Sequence, residues 1–144
     1  MAFTEEEIAY LKSTFLGRIA TVGPDGQPDV APVGYQFDGT YIYVGGLDNP
    51  STRKYRNVQA GNQKVALVVD DVVSMQPYTP RFMRIYGIAE IVEWQAPDGY
   101  RGGAGPYLRI TPTISWIWNL EGTPFTEDRS ALSTMRRTVH QPPA

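Results

Sequence analysis

Apolar residues recur at helical spacing near the start of the chain. Thr4 is followed by three glutamates and then by Ile8, Leu11, Phe15 and Leu16. Threonine is a common helix N-cap, and acidic residues in the first turn are stabilised by the positive end of the helix dipole. We therefore expect an amphipathic helix of about three turns that packs on one end of a sheet.

Most of the following chain has the short β-branched and aromatic runs of strands, separated by turn signals such as Gly-Pro-Asp-Gly. The first three runs predict a meander. The fourth, residues 64–70, is almost continuously apolar, which predicts burial on both faces. Residues 71–80 contain two prolines and are expected to form a polar loop. The predicted strands are 18–22, 28–37, 41–44, 64–70, 81–94 and 107–120.

The last two strands carry further signals. Gly87, in the middle of its strand, predicts a bulge or a close approach of two backbones. Residues 96–106 contain four glycines and are expected to be a flexible loop. In 107–120 the alternation places one set of large side chains on a common face, with Pro112 in register. That set is Leu108, Ile110, Ile114, Trp116 and Trp118.

Six strands against two short helices, without regular alternation of strand and helix, predict a mainly β antiparallel barrel or sandwich. At 144 residues the chain has the length of one domain, 1–144. Residues 121–144 form a C-terminal extension of uncertain structure, with a possible helical turn at 130–137.

A basic stretch follows the third strand. Its sequence, GGLDNPSTRKYRN, runs from Gly45 to Asn57 and includes two arginines and a lysine within four residues. The glycines allow close approach of a ligand, and Ser51 or Thr52 is a plausible helix N-cap. Cations in the first turn oppose the helix dipole unless an anion such as phosphate lies among them. A solvated basic face, with no ligand, is the alternative interpretation.

Composition excludes several classes of protein. The chain is 42% hydrophobic and 19% charged, as in globular proteins, and its pI of about 5.3 makes nucleic acid a poor partner. It has no run of 18 apolar residues and an acidic start, so we expect a cytoplasmic protein without a membrane span.

The chemistry of the side chains is equally restrictive. The chain has no cysteine and one histidine, His140, near a proline-rich end. Disulfides, thiolate metal sites and cysteine nucleophiles are excluded, and neither a Ser-His-Asp triad nor a histidine metal centre is expected. If the protein is an enzyme, we expect a cofactor to carry the reaction.

Several runs in order resemble one known family. They are GRIATVGPDGQPDVAPVGY at 17–35, GG at 45–46 with STRKYRNV at 51–58, KVALVVDD at 64–71 and PRFMRIYGIAE at 80–90. RITP at 109–112 and WNL at 118–120 fit more loosely. Together they resemble the pyridoxamine 5'-phosphate oxidase-like split β-barrel superfamily, in its branch of F420-dependent flavin/deazaflavin oxidoreductases.

This resemblance implies a six-stranded antiparallel split β-barrel with an N-terminal helix and a short helix after the third strand. It also implies a homodimer with two cofactor sites at the subunit interface. The implied phosphate site is Ser51, Thr52, Arg53, Lys54 and Asn57, with Arg56 nearby and Gly45 and Gly46 at its border. Ala31, Pro32 and Val33 would lie against the cofactor ring.

The same resemblance extends the site to a second subunit. Trp118, with Trp116 as the alternative, would contact the cofactor bound to the other chain. Tyr78 and Arg81 are candidates for substrate binding. No indispensable catalytic residue is expected, although Tyr78 or Tyr35 is a candidate proton donor.

The implied activity is hydride transfer from reduced F420 to a small organic acceptor, such as a quinone or an unsaturated carbonyl compound. The alternative cofactor is FMN, in a flavin reductase or a pyridoxamine 5'-phosphate oxidase-like protein. A non-catalytic cofactor carrier or a haem-binding relative is a third possibility, and haem is disfavoured because the only histidine is His140.

Overall fold

Strands account for most of the chain. The computed structural model describes residues 3–46, 48–97, 102–125 and 135–143. In chain order the elements are α1 (Glu5–Ser13), β1 (Leu16–Val22), β2 (Pro28–Phe37), β3 (Ile42–Val44), a 3₁₀ turn (Asn49–Ser51), α2 (Arg53–Gln59), β4 (Lys64–Met75), β5 (Tyr78–Gln95), β6 (Ala104–Trp118) and β7 (Arg136–Val139).

Six of these strands close into a barrel. Their order is β3-β2-β1-β4-β5-β6, every pair is antiparallel, and β3 also pairs with β6 through Ile42 and Ile110. The seventh strand, β7, adds to β6. The predicted split β-barrel, with its N-terminal helix and its short helix after the third strand, is confirmed.

The barrel interior is filled by alternate side chains of its strands. Burying each large apolar side chain contributes about 1.5–3 kcal/mol. Residues with no measurable exposure come from α1 and from β3 to β6: Leu11, Ile42, Val44, Leu67, Val69, Met83, Ile85, Ala89, Leu108 and Ile110.

Two predictions for β4 were wrong. Only one face is buried within the chain, because Val65, Leu67 and Val69 point inwards while Ala66 and Val68 are half-buried on the outside. The expected loop at 71–80 is instead the tip of a hairpin, in which Met75 pairs with Tyr78.

The hairpin accommodates a proline that the sequence suggested would break it. Pro80 pairs with Val72 next to a register shift between Val72 and Ser74. Proline lacks a donor for the ladder and is tolerated at such irregularities. The neighbouring β-branched residues then continue both strands.

The predicted face of β6 was right in its first half and wrong in its second. Tyr86 pairs with Ile114 but Gly87 pairs with Pro112, so Thr113 is an extra residue in β6. One inserted residue reverses the faces of a strand. Leu108 and Ile110 therefore point inwards as expected, but later it is Ser115 and Ile117 that are buried, and Ile114, Trp116 and Trp118 lie outside.

Gly87 shows why the two strands are so close at this bulge. A Cβ on Gly87 would lie 2.5 Å from Ile110 Cγ2 and 2.7 Å from the Thr111 carbonyl oxygen. No side chain fits there. The predicted close approach at Gly87, with a bulge beside it, is confirmed.

Helix α1 begins where predicted but ends earlier. The Thr4 Oγ1 accepts from the Glu7 backbone N–H (3.1 Å), and Glu7 Oε1 accepts from the Thr4 N–H (2.8 Å), which forms a complete capping box. The helix stops at Ser13, so Phe15 is 73% exposed and Leu16 already belongs to β1.

The C-terminal part of the chain contains a strand where a helical turn was predicted. Residues 126–134 lie outside the described residues, but Arg136–Val139 pairs with Ile114–Ile117 of β6. Strand β3 leaves that part of the β6 edge unpaired, because it contacts only residues 108–110. Strand β7 therefore covers an otherwise open edge.

Two contacts join β7 to the N-terminal part. Arg136 Nη2 lies 2.9 Å from Oε2 of Glu7, which is 1% exposed. The His140 ring packs against Phe3 with centroids 4.3 Å apart, and its Nε2 is 2.8 Å from Ser115 Oγ. Burial lowers the pKa of His140, while the charge of Glu7 partly opposes that shift. The histidine is thus part of the fold.

Among the described residues, no helix has the length and apolar character required to cross a membrane.

Because Glu7 is buried, its carboxylate depends on Arg136 for a charged partner. We expect Arg136→Met to reduce the free energy of unfolding by about 1–2 kcal/mol, measured by urea denaturation. Arg137→Met is the matched control, since Arg137 is exposed on the opposite face of the strand. Equal effects of the two substitutions would contradict a structural role for the Glu7–Arg136 pair.

Candidate functional site

The chain leaves the barrel at Gly45 and Gly46, and the two glycines have different neighbours. A Cβ on Gly45 would lie 2.6 Å from Cε1 of Tyr107, so the aromatic ring fills the space of a side chain. The Tyr107 hydroxyl is fixed by donating to the Gly103 carbonyl at 2.8 Å. Gly46 is exposed and lies beside Lys54 Nζ and Asn49 Oδ1.

Asn49 ties the turn after β3 to the barrel. Its side chain is 3% exposed, and its Nδ2 donates to the carbonyl oxygens of Pro106 (3.0 Å) and Val44 (3.5 Å). These contacts link the end of β3 to the start of β6. The Oδ1 of the same amide is buried and has no hydrogen-bond partner among the described residues.

Of the two predicted N-caps, Thr52 caps α2. Its Oγ1 accepts from the Tyr55 N–H (3.4 Å) and donates to the Asn49 carbonyl (2.7 Å). Ser51 is exposed in the 3₁₀ turn, where its hydroxyl donates to the Asp48 carbonyl. Helix α2 has only seven residues, so its side chains rather than its dipole determine what this region binds.

The three cations of the basic stretch are not equivalent. Arg53 and Arg56 are exposed, as expected for a solvated helix face, but Lys54 is only 7% exposed. Within the described part of the chain, no ion pair or hydrogen bond is formed by the Lys54 ammonium. Burial lowers the pKa of Lys54, and the negative charge of Asp29 partly opposes this. A bound anion would raise the pKa of Lys54 again and favour its charged form.

Asn57 faces the barrel. It is 3% exposed, and its Nδ2 donates to Thr21 Oγ1 on β1 at 2.9 Å. Thr21 is itself buried. This bond between α2 and β1 holds the helix against the barrel end and thereby fixes the direction of Lys54.

The three residues predicted to lie against a cofactor ring fall on both faces of β2. Val33 is 5% exposed and belongs to the core, whereas Pro32 is exposed on the other face. Ala31 is half-buried and shares its face with Asp29, the residue whose charge acts on Lys54. Ala31 therefore lies on the face of β2 that carries Asp29 and is turned towards the region of Lys54.

Trp118 and Tyr78 lie at the other end of the barrel strands. The Trp118 ring is 6.0 Å from that of Phe82 and 5.5 Å from that of Phe125, and Phe125 also packs against Tyr78 at 5.5 Å. Pro106, which is bonded to Asn49, and Trp118 are about 12 residues apart along β6. Twelve residues of strand have a length on the order of 40 Å. One chain does not bring these aromatic residues to Lys54.

The remaining candidates are engaged in other contacts. Arg81 binds both carboxylate oxygens of Asp71 (2.8 and 3.0 Å) and lies 4.9 Å above the Tyr10 ring. Trp116, the alternative to Trp118, is also on the outer face, with Arg84 stacked at 4.4 Å. Tyr35 is a core residue that donates to the Leu11 carbonyl, and burial raises its pKa.

Asn49 is the residue that sequence reasoning missed. An asparagine before a proline is ordinary turn chemistry and gives no local sign of a further role. What distinguishes Asn49 is the pairing of its amide with Pro106, 57 positions away. No local pattern predicts such a contact.

Comparisons with known proteins extend over most of the chain. Residues 3–104 match the family described as Pyridoxamine 5'-phosphate oxidase. A relative from Streptomyces rimosus subsp. rimosus, named 5a,11a-dehydrotetracycline/5a,11a-dehydrooxytetracycline reductase, is 39% identical over 125 residues. The alignment covers 85% of this chain and 87% of that protein.

Solved structures share the barrel. A conserved hypothetical protein of Mycobacterium tuberculosis has a TM-score of 0.64 at 24% identity, covering 91% of this chain and 95% of that one. A structure named F420 Reductase has a TM-score of 0.52 at 24% identity, covering 70% of this chain and 88% of that one. At this identity the likeness shows the fold.

The two glycines should respond differently to a methyl group. Gly45→Ala would force the Tyr107 ring to move, and we expect the free energy of unfolding to fall by about 1–3 kcal/mol. Gly46→Ala meets only Lys54 Nζ at 3.2 Å and Asn49 Oδ1 at 3.5 Å, and should change stability by less than about 0.5 kcal/mol. Urea denaturation of both variants tests this, and a larger loss in Gly46→Ala would contradict the assigned contacts.

Proposed function

This chain belongs to the pyridoxamine 5'-phosphate oxidase family and is an oxidoreductase of that fold, and we propose that it binds the deazaflavin coenzyme F420. In this proposal the reaction is hydride transfer from reduced F420 to a quinone or an unsaturated carbonyl compound. The observation that carries the proposal is Lys54. It is a nine-tenths buried cation without an anionic partner in the described chain, placed beside the exposed backbone of Gly46.

The residues around Lys54 suit a phosphate. Removing an ammonium from water is unfavourable unless an opposite charge compensates, and a phosphate oxygen would supply that charge. Gly46 adds a stretch of exposed backbone without a side chain. Ser51 and Thr52 lie on the same turn, where their hydroxyl groups donate to backbone carbonyls, so they shape the turn. Asn57 supports this site from behind through its bond to Thr21.

The exposed arginines favour F420 over FMN. Arg53 and Arg56 lie in the helix that begins beside the proposed phosphate site, and neither forms an ion pair in the described regions. The coenzyme F420 continues beyond its phosphate into an acidic oligoglutamate tail, whereas FMN ends there. The two arginines would attract that tail. An FMN enzyme would use Lys54 but would have no such use for Arg53 and Arg56.

The likeness to a reductase supports the direction of the reaction. The Streptomyces relative is named for dehydro forms of tetracyclines, compounds that gain hydrogen when they are reduced. When bound and reduced, F420 supplies a hydride, so the protein need only bind, orient and exclude water. We propose an acceptor with a conjugated double bond for this chain as well.

A complete site in this proposal requires two subunits. Trp118, Tyr78 and Arg81 lie far along the strands from Lys54 in one chain, and the outer face that carries Trp118 is rich in aromatic residues, with Arg84 stacked on Trp116. Phe82, Tyr86 and Trp116 extend this face. A homodimer that covers it would place Trp118 of the partner subunit, with Tyr78 and Arg81 as candidates for substrate contact, over the bound cofactor.

The test of the phosphate site is a fluorescence titration with F420 and with FMN. We expect Lys54→Met to weaken binding of F420 at least tenfold, since a hydrogen bond to a charged group contributes about 1.5–3 kcal/mol. Lys12→Met, which removes an exposed helical lysine, is the control and should leave the affinity unchanged. An unchanged affinity in Lys54→Met would support the alternative interpretation, in which the basic helix is a solvated surface that binds no ligand.

The arginines provide a separate test of which cofactor is used. The double variant Arg53→Met with Arg56→Met should weaken F420 binding several-fold, because exposed charge pairs contribute about 0.2–1 kcal/mol each, and added salt should abolish the difference. Binding of FMN should be unaffected. Tight FMN binding by the wild type without F420 binding would reverse the cofactor assignment.

A further inference from the structure

The amide of Asn49 has a fixed orientation. Both hydrogens of its Nδ2 are used by the carbonyl oxygens of Pro106 and Val44. Exchanging the oxygen and nitrogen would turn an acceptor towards two acceptors. The Oδ1 must therefore point away from the barrel strands, and it lies 3.5 Å from the position of a Cβ on Gly46.

That oxygen lacks a partner in a place closed to solvent. Asn49 is 3% exposed, and its Oδ1 is buried without a hydrogen bond in the described part of the structure. Buried polar atoms are nearly always paired, so an unpaired one points to a donor that can approach it. The donor must approach from the side of Gly46.

Lys54 is the donor on that side. Its Nζ lies 3.2 Å from the same Cβ position on Gly46, so the ammonium and the amide oxygen flank one point. An ammonium has three N–H groups, and in the described residues none of those of Lys54 is engaged. If two of these N–H groups bind the phosphate, the third is left for Asn49.

We propose that Asn49 is a positioning residue for Lys54: its Oδ1 accepts one N–H of the ammonium and holds the other two towards the phosphate of the coenzyme. This inference rests on the proposed function. It extends the site by a residue that does not touch the ligand. The amide also supports the charged form of Lys54, whose pKa is lowered by burial.

The experiment compares two ligands that differ in the phosphate. The first is F420 and the second is the same deazaflavin with its ribityl chain but without phosphate. Dissociation constants are measured for the wild type, Asn49→Leu, Lys54→Met and the double variant. Asn62→Leu is the matched control, because it removes a side chain to backbone bond at the other end of α2.

We expect Asn49→Leu to weaken F420 binding at least fivefold and binding of the phosphate-free ligand less than twofold. In the Lys54→Met background the same substitution should have less than a twofold effect on F420. The alkaline limit of F420 binding should move to lower pH in Asn49→Leu, because the ammonium loses an acceptor. Asn62→Leu should leave the dissociation constants of both ligands unchanged.

A second variant avoids the structural bonds of Asn49. The methyl group of Gly46→Ala would lie 3.2 Å from Lys54 Nζ and 3.5 Å from Asn49 Oδ1, where it should hinder a contact between them. It is expected to weaken F420 binding selectively, to add nothing to Lys54→Met, and to move the alkaline limit of F420 binding to lower pH. If Asn49→Leu fails to fold, that shift in pH decides the question, because a methyl group that only obstructed the phosphate would leave the limit unchanged.

Equal weakening of both ligands by Asn49→Leu, or additive effects with Lys54→Met, would overturn the inference while the proposed function stands. A wild-type protein that binds neither F420 nor FMN would overturn both. The two failures are therefore distinguishable in one set of titrations.

Discussion

The closure of the barrel by β3 is the constraint on which the candidate site depends. This strand has only three residues, but it pairs with β2 on one side and with β6 on the other. Its end is fixed by the packing of Tyr107 against Gly45 and by the bonds of Asn49 to Val44 of β3 and to Pro106 of β6. The chain must therefore leave the barrel at Gly46, and the basic helix α2 begins at Arg53 after the 3₁₀ turn.

Electrostatics then distinguishes the site from the rest of the surface. On the barrel surface Arg18 is paired with Asp70 and Arg81 with Asp71. At Gly46 the side chain of a largely buried lysine has no ion pair in the described residues, and beside it lies a buried amide oxygen without a hydrogen bond there. Local violations of this kind are expected where a protein binds a ligand, since the ligand completes the set of partners.

The sequence was informative wherever local chemistry determines the structure. The bounds of β2, the Thr4 capping box, the Thr52 cap and the special position of Gly87 all follow from residues close together in the chain. The outer face of β6 did not, because the extra residue Thr113 is recognisable only from its pairing with β5. Sequence alone also treated Arg53, Lys54 and Arg56 as one basic group. In the structure the helix buries Lys54 and exposes the two arginines, and this difference depends on how the helix packs on the barrel.

The bulge at Thr113 gives the two halves of β6 different physical tasks. Before it, the even-numbered residues Leu108 and Ile110 point into the barrel and determine how the interior packs. After it, the even-numbered residues Trp116 and Trp118 lie on the outer surface instead. The positions of β6 that are sensitive to mutation should accordingly be even-numbered before Thr113 and odd-numbered after it. A strand that inverts its own alternation lets one segment of chain serve two environments without any further loop.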